Sequence, residues 1–316
     1  MLIGLSEAAD FLTACGDAVI ITHQSPDGDC IGAGFALKEI LESIGKRSRV
    51  VCCDEFPKIF DFLTNVGCTE DFEPKTVITV DIADPKLMGS LREVYGGKVD
   101  LCIDHHVSNT SYAGLTLLKS EASATCEIIY EIALEMGVKL NEHAAECIYT
   151  GIATDTGCFK YDCTTVRCHQ IAAYLMTDFN LRFAWINRRM FDVKSIGRIK
   201  VESAVLDLLE YYFGGKLTMI CLTADIMKQV GVDISELEGC ASLPLQVENA
   251  EVGILLKESQ PGVYKISMRS ANDINVSDIC RTIGGGGHAK AAGCMLKGSL
   301  DDVKKQLVQA VGKALE

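Results

Sequence analysis

Three short apolar runs, each stopping at an acid or a histidine, constrain this chain more than any other feature. Val19-Ile20-Ile21 leads into His23-Gln24-Ser25-Pro26-Asp27-Gly28-Asp29, Val77-Ile78-Thr79-Val80 stops at Asp81, and Leu101-Cys102-Ile103 stops at Asp104-His105-His106. Continuous rather than alternating apolar runs of this length suit strands buried on both faces, as in a parallel sheet covered by helices. A further acid, Asp155 in Ala153-Thr154-Asp155-Thr156-Gly157, closes an apolar helical stretch. Ligand sites of open α/β sheets lie beyond the carboxyl ends of the strands, which is where these acids fall.

The segments between the runs agree with that layout. Residues 6–15 read as an opening helix and 17–23 as a strand entering the first acidic loop. After Asp29, Ile31, Leu37, Ile40, Leu41 and Ile44 recur near a 3.6-residue period and predict an amphipathic helix ended by Gly45. Strands are expected at 49–53, 76–80 and 98–103, then helices near 123–136 and 142–154. Glu127, Glu131 and Glu135 recur every four residues and predict the solvated face of the first of these helices. Alternating strands and helices predict a doubly wound parallel sheet. Residues 195–213, with Val201, Val205, Leu208 and Leu209, read as one connecting helix. Beyond it, strands near 216–222, 252–256, 264–268 and 294–296 and a closing helix at 300–315 form a second unit. The expected fold is therefore α/β in two domains. Residues 1–187 form the parallel-sheet catalytic domain, 188–213 a linker helix, and 214–316 a smaller domain with a mixed sheet. The active site is expected in the cleft between them, closed by a hinge near 186–195.

Composition removes several functions. A formal net charge of −13 argues against a binder of long duplex nucleic acid, although metals and one or two arginines can still attract a small anion locally. The 15 cysteines include no C-x-x-C pair, and Cys102, Cys126, Cys147 and Cys221 lie inside apolar runs, where Cys behaves as a small buried hydrophobe. Reduced thiols indicate the cytoplasm. The opening Met1-Leu2-Ile3-Gly4 has no basic leader, and no apolar stretch reaches the roughly 18 residues of a spanning helix, so no membrane is expected as a partner.

The acidic loops suit a metal centre. Hard divalent cations need several oxygen ligands, and imidazole shifts the preference toward Mn, Fe, Co or Zn. Gly28 permits a tight turn in which Asp27 and Asp29 can face different ions, and His23 adds a nitrogen. Asp81, on an adjacent strand, can bridge two ions about 3.5–4 Å apart, the spacing used for displacement at phosphorus. The plainer reading of one acid at a strand end is a helix cap, and Asp29 and Asp155 both suit it. His143 and His169 lack an acidic cluster and read as structural, whereas the other four of the six histidines fall in motif-like contexts. Among these is His288, after Gly284-Gly285-Gly286-Gly287. Amides of that loop, leading into a helix at Ala289-Lys290-Ala291-Ala292, can form a phosphate nest, and Arg269 at a strand end suits bidentate phosphate binding. The plainer reading there is a flexible surface loop.

His23-x-x-Pro26-Asp27-Gly28-Asp29-x-Ile31-Gly32, Asp81, Asp104-His105-His106 and Asp155 are, in order, similar to the four motifs of the DHH phosphoesterases. The resemblance covers nearly the whole chain. It implies two Mn²⁺ ions, with Co²⁺ or Mg²⁺ tolerated by the same donors. One would be held by His23, Asp27 and Asp81, the other by Asp29, Asp81, His105 and Asp155. It implies that Asp104 orients a histidine and that His106 meets the scissile phosphate or protonates the leaving group. Gly284 to His288 with Ala291-Ala292-Gly293 resembles the signature of the DHH-associated C-terminal domain. That implies terminal-phosphate or nucleotide binding by Arg269, Ser270, Gly286, Gly287 and His288. Where many relatives carry an aromatic residue before the glycines, this chain has Ile283.

Within the family, the basic C-terminal signature of the pyrophosphatases, extra nucleic-acid domains and membrane segments are all missing. What remains resembles the compact oligoribonuclease group. This implies a metal-dependent phosphodiesterase or phosphomonoesterase acting on short oligonucleotides (nanoRNA), releasing 5′ mononucleotides, and on 3′-phosphoadenosine 5′-phosphate. A cyclic-di-AMP or linear dinucleotide phosphodiesterase is the alternative. A non-catalytic nucleotide-binding protein is the other, opposed by intact ligands at every motif. The resemblance further implies a homodimer paired through the catalytic domain.

Overall fold

β-Branched, continuously apolar segments become the strands of the first sheet because both of its faces are covered. The computed structural model describes residues 1–65, 72–230 and 240–315. The chain divides into two units, Met1–Val193 and Lys194–Glu316, each with its own sheet.

In the first unit, β1 (Ala18–Ile21), β2 (Ser48–Val51), β3 (Thr76–Val80), β4 (Leu101–Asp104) and β5 (Leu115–Leu118) pair in the order β2-β1-β3-β4-β5. Every pairing is parallel. Ala18, Ile20, Ile78, Val80, Leu101 and Ile103 point into the larger core, while Val19, Ile21, Val77 and Cys102 point into a second core on the other face with Ile82 and Met88. Strand order reverses between β1 and β3, so the switch-point crevice of a doubly wound sheet opens at their carboxyl ends. β5 is absent from the sequence expectation. This edge strand is paired outward by the chain's own start, where Leu2 bridges Thr116.

The helix Gly28–Ser43 is not amphipathic as expected but buried along most of its length. It packs antiparallel on the helix Glu142–Asp155 through small residues: a Cβ on Gly28 would collide with Thr154, and one on Gly32 with the Cys147 carbonyl. This close approach carries Asp155, at the end of one helix, to Asp29, at the start of the other. Glu127 also departs from expectation. It is buried in the helix Thr125–Glu135, because the Ser123 amide (3.1 Å) and hydroxyl (2.7 Å) both donate to its carboxylate.

In the second unit, β6 (Leu209–Tyr212), β7 (Leu217–Leu222), β8 (Val252–Gln260), β9 (Val263–Ser270), β10 (Gly286–His288) and β11 (Ala291–Lys297) form a mixed sheet in the order β10-β11-β9-β8-β7-β6. Only β7 and β8 pair in parallel. The expected connecting helix is shorter than 195–213. It ends at Leu206, and the aromatic, strand-favouring residues Tyr211 and Tyr212 instead extend an edge strand. Val201 and Val205 of that helix pack on Ile220, Leu222 and Leu255, so it belongs to the second unit's core. The glycine run does not open a helix either. Gly286–His288 and Ala291–Lys297 form an antiparallel hairpin, which removes the helix-start phosphate nest. Among the described residues no helix is long and apolar enough to cross a membrane.

Candidate metal centre

Asp27 is the N-cap of the helix Gly28–Ser43: its Oδ1 accepts from the Asp29 and Cys30 amides, each at 3.1 Å. Asp29, an expected metal ligand for which a cap is the plainer reading, lies inside the first turn rather than at the cap and is fully buried. Its two oxygens face the start of another helix, with Oδ2 accepting from the Thr125 amide at 2.6 Å and Oδ1 from the Cys126 amide at 2.9 Å. Helix-start amides lack partners within their own helix, and a carboxylate there gains both the bonds and the positive end of the dipole.

Asp81 follows β3 with φ of 60°, a left-handed conformation uncommon for non-glycine residues. Its carboxylate is buried and looks two ways. Oδ2 lies 3.5 Å from His23 Nε2, whereas Oδ1 lies 3.6 Å from His105 Nε2 and 3.4 Å from His106 Nδ1. The Thr125 hydroxyl donates to Oδ1 at 2.8 Å.

Both inward imidazoles have a defined tautomer. His23 Nδ1 meets the Gln24 carbonyl at 2.8 Å and His105 Nδ1 the Ala122 carbonyl at 3.2 Å. A carbonyl only accepts, so each Nδ1 carries hydrogen and each Nε2 is the edge turned toward the carboxylates. His23 Nε2 is 3.6 Å from Asp27 Oδ1, and His105 Nε2 is 3.3 Å from Asp155 Oδ2 and 4.0 Å from Asp29 Oδ2.

Asp104 stands behind the pocket, fully buried, with its acceptors occupied. Oδ1 takes the His105 amide (2.8 Å), the His106 amide (3.2 Å) and His106 Nδ1 (2.8 Å), and Oδ2 takes Asn109 Nδ2 (2.6 Å). His106 is thereby fixed by one ring edge, in a side chain 44% exposed, with Nε2 on the other edge.

The electrostatics are those of anions lacking a counter-charge. Burial and the neighbouring Asp81 push Asp29 up to about 7. Burial with Asp29 and Asp81 pushes Asp155 up to about 10, and its place at a helix C-terminus, the negative end of the dipole, works the same way. Burial opposes protonation of His23, but Asp27 and Asp81 outweigh it and push the imidazole up. The bond to Asp104 pushes His106 up to about 9, against burial. Asp29 and Asp155 therefore resist ionising beside their neighbours, and divalent cations remove the conflict. The donor chemistry fits such ions. His23, Asp27 and Cys30 form one cluster, Asp29, His105 and Asp155 a second, and Asp81 joins His105 and His106 in a third. Carboxylate oxygens mixed with imidazole nitrogen suit Mn²⁺ or Co²⁺ better than Mg²⁺.

All six expected metal-ligating residues thus converge on one pocket. Thr125, Asn109 and Cys30 were not foreseen: Cys30 had a signal, being next to Asp29, but Thr125 and Asn109 had none in sequence. In the second unit, His288, Ala291 and Arg269 are level across β10, β11 and β9. Arg269 and His288 therefore share a face, about 10 Å apart by two inter-strand spacings. The Arg269 guanidinium donates to the Met268 carbonyl at 3.0 Å. The Ser270 hydroxyl donates to the Ile274 carbonyl at 2.6 Å, so its hydrogen is already engaged. A Cβ on Gly287, whose φ is 146°, would collide with the Ala291 carbonyl, whereas Gly286 opens on free space. The hairpin itself requires the first of these glycines but not the second.

A model of the DHH family, N-terminal domain, matches residues 17–152, and one of the DHHA1 domain matches residues 214–316. The chain is 29% identical over 309 residues to the bifunctional oligoribonuclease and PAP phosphatase NrnA of Thermus thermophilus, covering 95% of this chain and 90% of that protein. It is 29% identical over 280 residues to the probable bifunctional oligoribonuclease and PAP phosphatase NrnA of Streptococcus mutans, covering 88% and 89%. In fold it is similar to an exopolyphosphatase-related protein of Bacteroides fragilis, with a TM-score of 0.86 at 24% identity, covering 98% of this chain and 95% of that one. The chain thus carries a DHH family N-terminal domain at residues 17–152 followed by a DHHA1 domain at residues 214–316, in the order the motifs imply.

Proposed function

We propose that the protein is a Mn²⁺-dependent phosphoesterase that hydrolyses short oligonucleotides and removes the 3′-phosphate of 3′-phosphoadenosine 5′-phosphate. The observation that carries this reading is the Asp81 carboxylate, with one oxygen toward His23 and the other toward His105. His23 and Asp27 would hold one ion, Asp29, His105 and Asp155 the other, and Asp81 both. Such a pair of cations lowers the pKa of water and neutralises charge developing at phosphorus.

The remaining steps belong to the chain's own side chains. Asp104 pushes His106 up to about 9 in the metal-free protein and accepts from Nδ1, which leaves Nε2 to give a hydrogen bond to a phosphate oxygen or a proton to the leaving oxygen. Asp104 keeps that ring turned by accepting from Nδ1. Arg269 and His288, level on one face of the second sheet, offer donors to a terminal phosphate. A net charge of −13 favours substrates with few phosphates over long duplexes, and the curated names of the two relatives point to the same substrates.

The test compares Mn²⁺-loaded protein on labelled RNA of two to five nucleotides, 3′-phosphoadenosine 5′-phosphate, cyclic di-AMP and pyrophosphate. Short RNA and 3′-phosphoadenosine 5′-phosphate are expected to turn over fastest. Hydrolysis of pyrophosphate alone would overturn the substrate assignment. Asp81→Ala is expected to lower kcat by more than about 100-fold, beyond the range for disturbing only the surroundings of a metal site, while remaining folded by circular dichroism.

A further inference from the structure

We propose that Thr125 is a positioning residue that holds the Asp81 carboxylate turned toward both ions at once, an inference that rests on the metal reading of the site. Thr125 is the first residue of the helix Thr125–Glu135 and is fully buried. It reaches two carboxylates from different parts of the chain. Its amide donates to Asp29 Oδ2 at 2.6 Å and its hydroxyl to Asp81 Oδ1 at 2.8 Å. An ionised carboxylate only accepts, so the hydroxyl is the donor.

The two carboxylates differ in how firmly they are held. Asp29 is gripped on both oxygens by the Thr125 and Cys126 amides, and losing the Thr125 side chain leaves both bonds in place. Among the described residues Asp81 is held by no backbone amide: the Thr125 hydroxyl at 2.8 Å is the near donor to its carboxylate, with His106 Nδ1 at 3.4 Å and His23 Nε2 at 3.5 Å standing further off. The backbone at φ 60° sets where the Asp81 side chain starts, but it does not fix rotation about the bond to the carboxylate. That rotation decides the coordination. With Oδ1 tied to Thr125, on the His105 side, Oδ2 is left toward His23 at 3.5 Å. Released, the group can turn both oxygens toward one ion and abandon the other. The β-branched threonine side chain has few χ1 states, so the hydroxyl is aimed before any metal arrives.

Thr125→Val deletes the hydroxyl and keeps the shape and the amide bond to Asp29, and Thr125→Ser restores a hydroxyl. Mn²⁺ titration by calorimetry and low-temperature electron paramagnetic resonance read the result without any substrate. The parent protein is expected to bind two Mn²⁺ and show the spectrum of an exchange-coupled pair. Thr125→Val is expected to bind the second ion about 10–100-fold more weakly, the usual range for loss of a supporting hydrogen bond, and to lose the coupled spectrum. Thr125→Ser is expected to keep both, and kcat on short RNA is expected to fall in the valine variant with KM little changed. Thr125→Ala carries the same test if valine prevents folding. A valine or alanine variant that binds both ions as tightly as the parent, with the coupled spectrum intact, overturns the inference. A parent protein that fails to take up two ions overturns the metal reading itself.

Discussion

At the residue scale, the site is a balance between buried anions and the charges that answer them. In the metal-free protein Asp29 is pushed up to about 7 and Asp155 up to about 10, whereas a free aspartate titrates near 3.8. Across that window the native state keeps protons that the unfolded chain has released, so stability falls as pH rises. Thermal melts of metal-free protein are expected to drop between about pH 5 and about pH 9, and saturating Mn²⁺ is expected to restore them. A flat melting temperature across that range would show that the carboxylates are not in conflict. Asp104→Asn is expected to remove the raised pKa of His106, lowering the alkaline limit of activity by a measurable shift in the pH profile, because the neutral amide no longer supports the imidazolium. The six proposed ligands are legible because each acid or histidine lies at the end of an apolar run or in the loop that follows one. Thr125 was not, since it lies 44 residues from Asp81 in sequence and meets it only through the packing of a helix start.

At the element scale, the pair of helices Gly28–Ser43 and Glu142–Asp155 brings the halves of the site together and is fastened at both ends. One end carries Asp29 and Asp155. At the other, Asn141 caps its own helix through Ala144 (2.8 Å) and donates to Glu39 (2.7 Å), while His143 meets Glu39 at 2.9 Å and the Leu63 carbonyl at 3.0 Å. His143 lies apart from the metal loops, and both of its ring nitrogens are engaged by Glu39 and the Leu63 carbonyl. Its bond, ahead of the opposing effect of burial, holds Glu39 below its ordinary 4.5. Glu39 therefore adds stability above that value and loses it as pH falls through the folded-state value. Glu39→Gln is expected to flatten this acid limb of the stability curve in denaturant titrations. Gly32→Val would force a side chain into the Cys147 backbone, with an expected cost of about 1–3 kcal/mol and weaker Mn²⁺ binding, read by calorimetry. Periodicity found the core strands, where apolar runs are unbroken. It failed at the edge strand β5, at β6, where a helix-like pattern runs into aromatic residues, and at β10, where a run of glycines carries no pattern at all.

At the scale of the whole molecule, the two units carry different kinds of side chain. The first gathers carboxylates and inward imidazoles, and the second presents arginine, histidine and a glycine hairpin. Arg269→Ala is expected to raise KM for 3′-phosphoadenosine 5′-phosphate while leaving the Mn²⁺ content of the protein unchanged. If the variant instead loses metal, the two units do not divide the work in this way. The two-unit organisation was readable from the succession of strands and helices. The allegiance of the helix Ile196–Leu206 was not, because only contacts with Ile220, Leu222 and Leu255 show which core it joins.

The left-handed backbone at Asp81 has a consequence for how this protein responds to selection. A conformation of that kind costs about 1–3 kcal/mol, and glycine adopts it freely. Asp81→Gly is therefore expected to melt at a higher temperature than the parent when both are metal-free, and to be inactive. A library sorted for heat resistance alone would discard this aspartate early, whereas one sorted for turnover would keep it, so the most strained acid in the pocket marks where durability and catalysis pull in opposite directions.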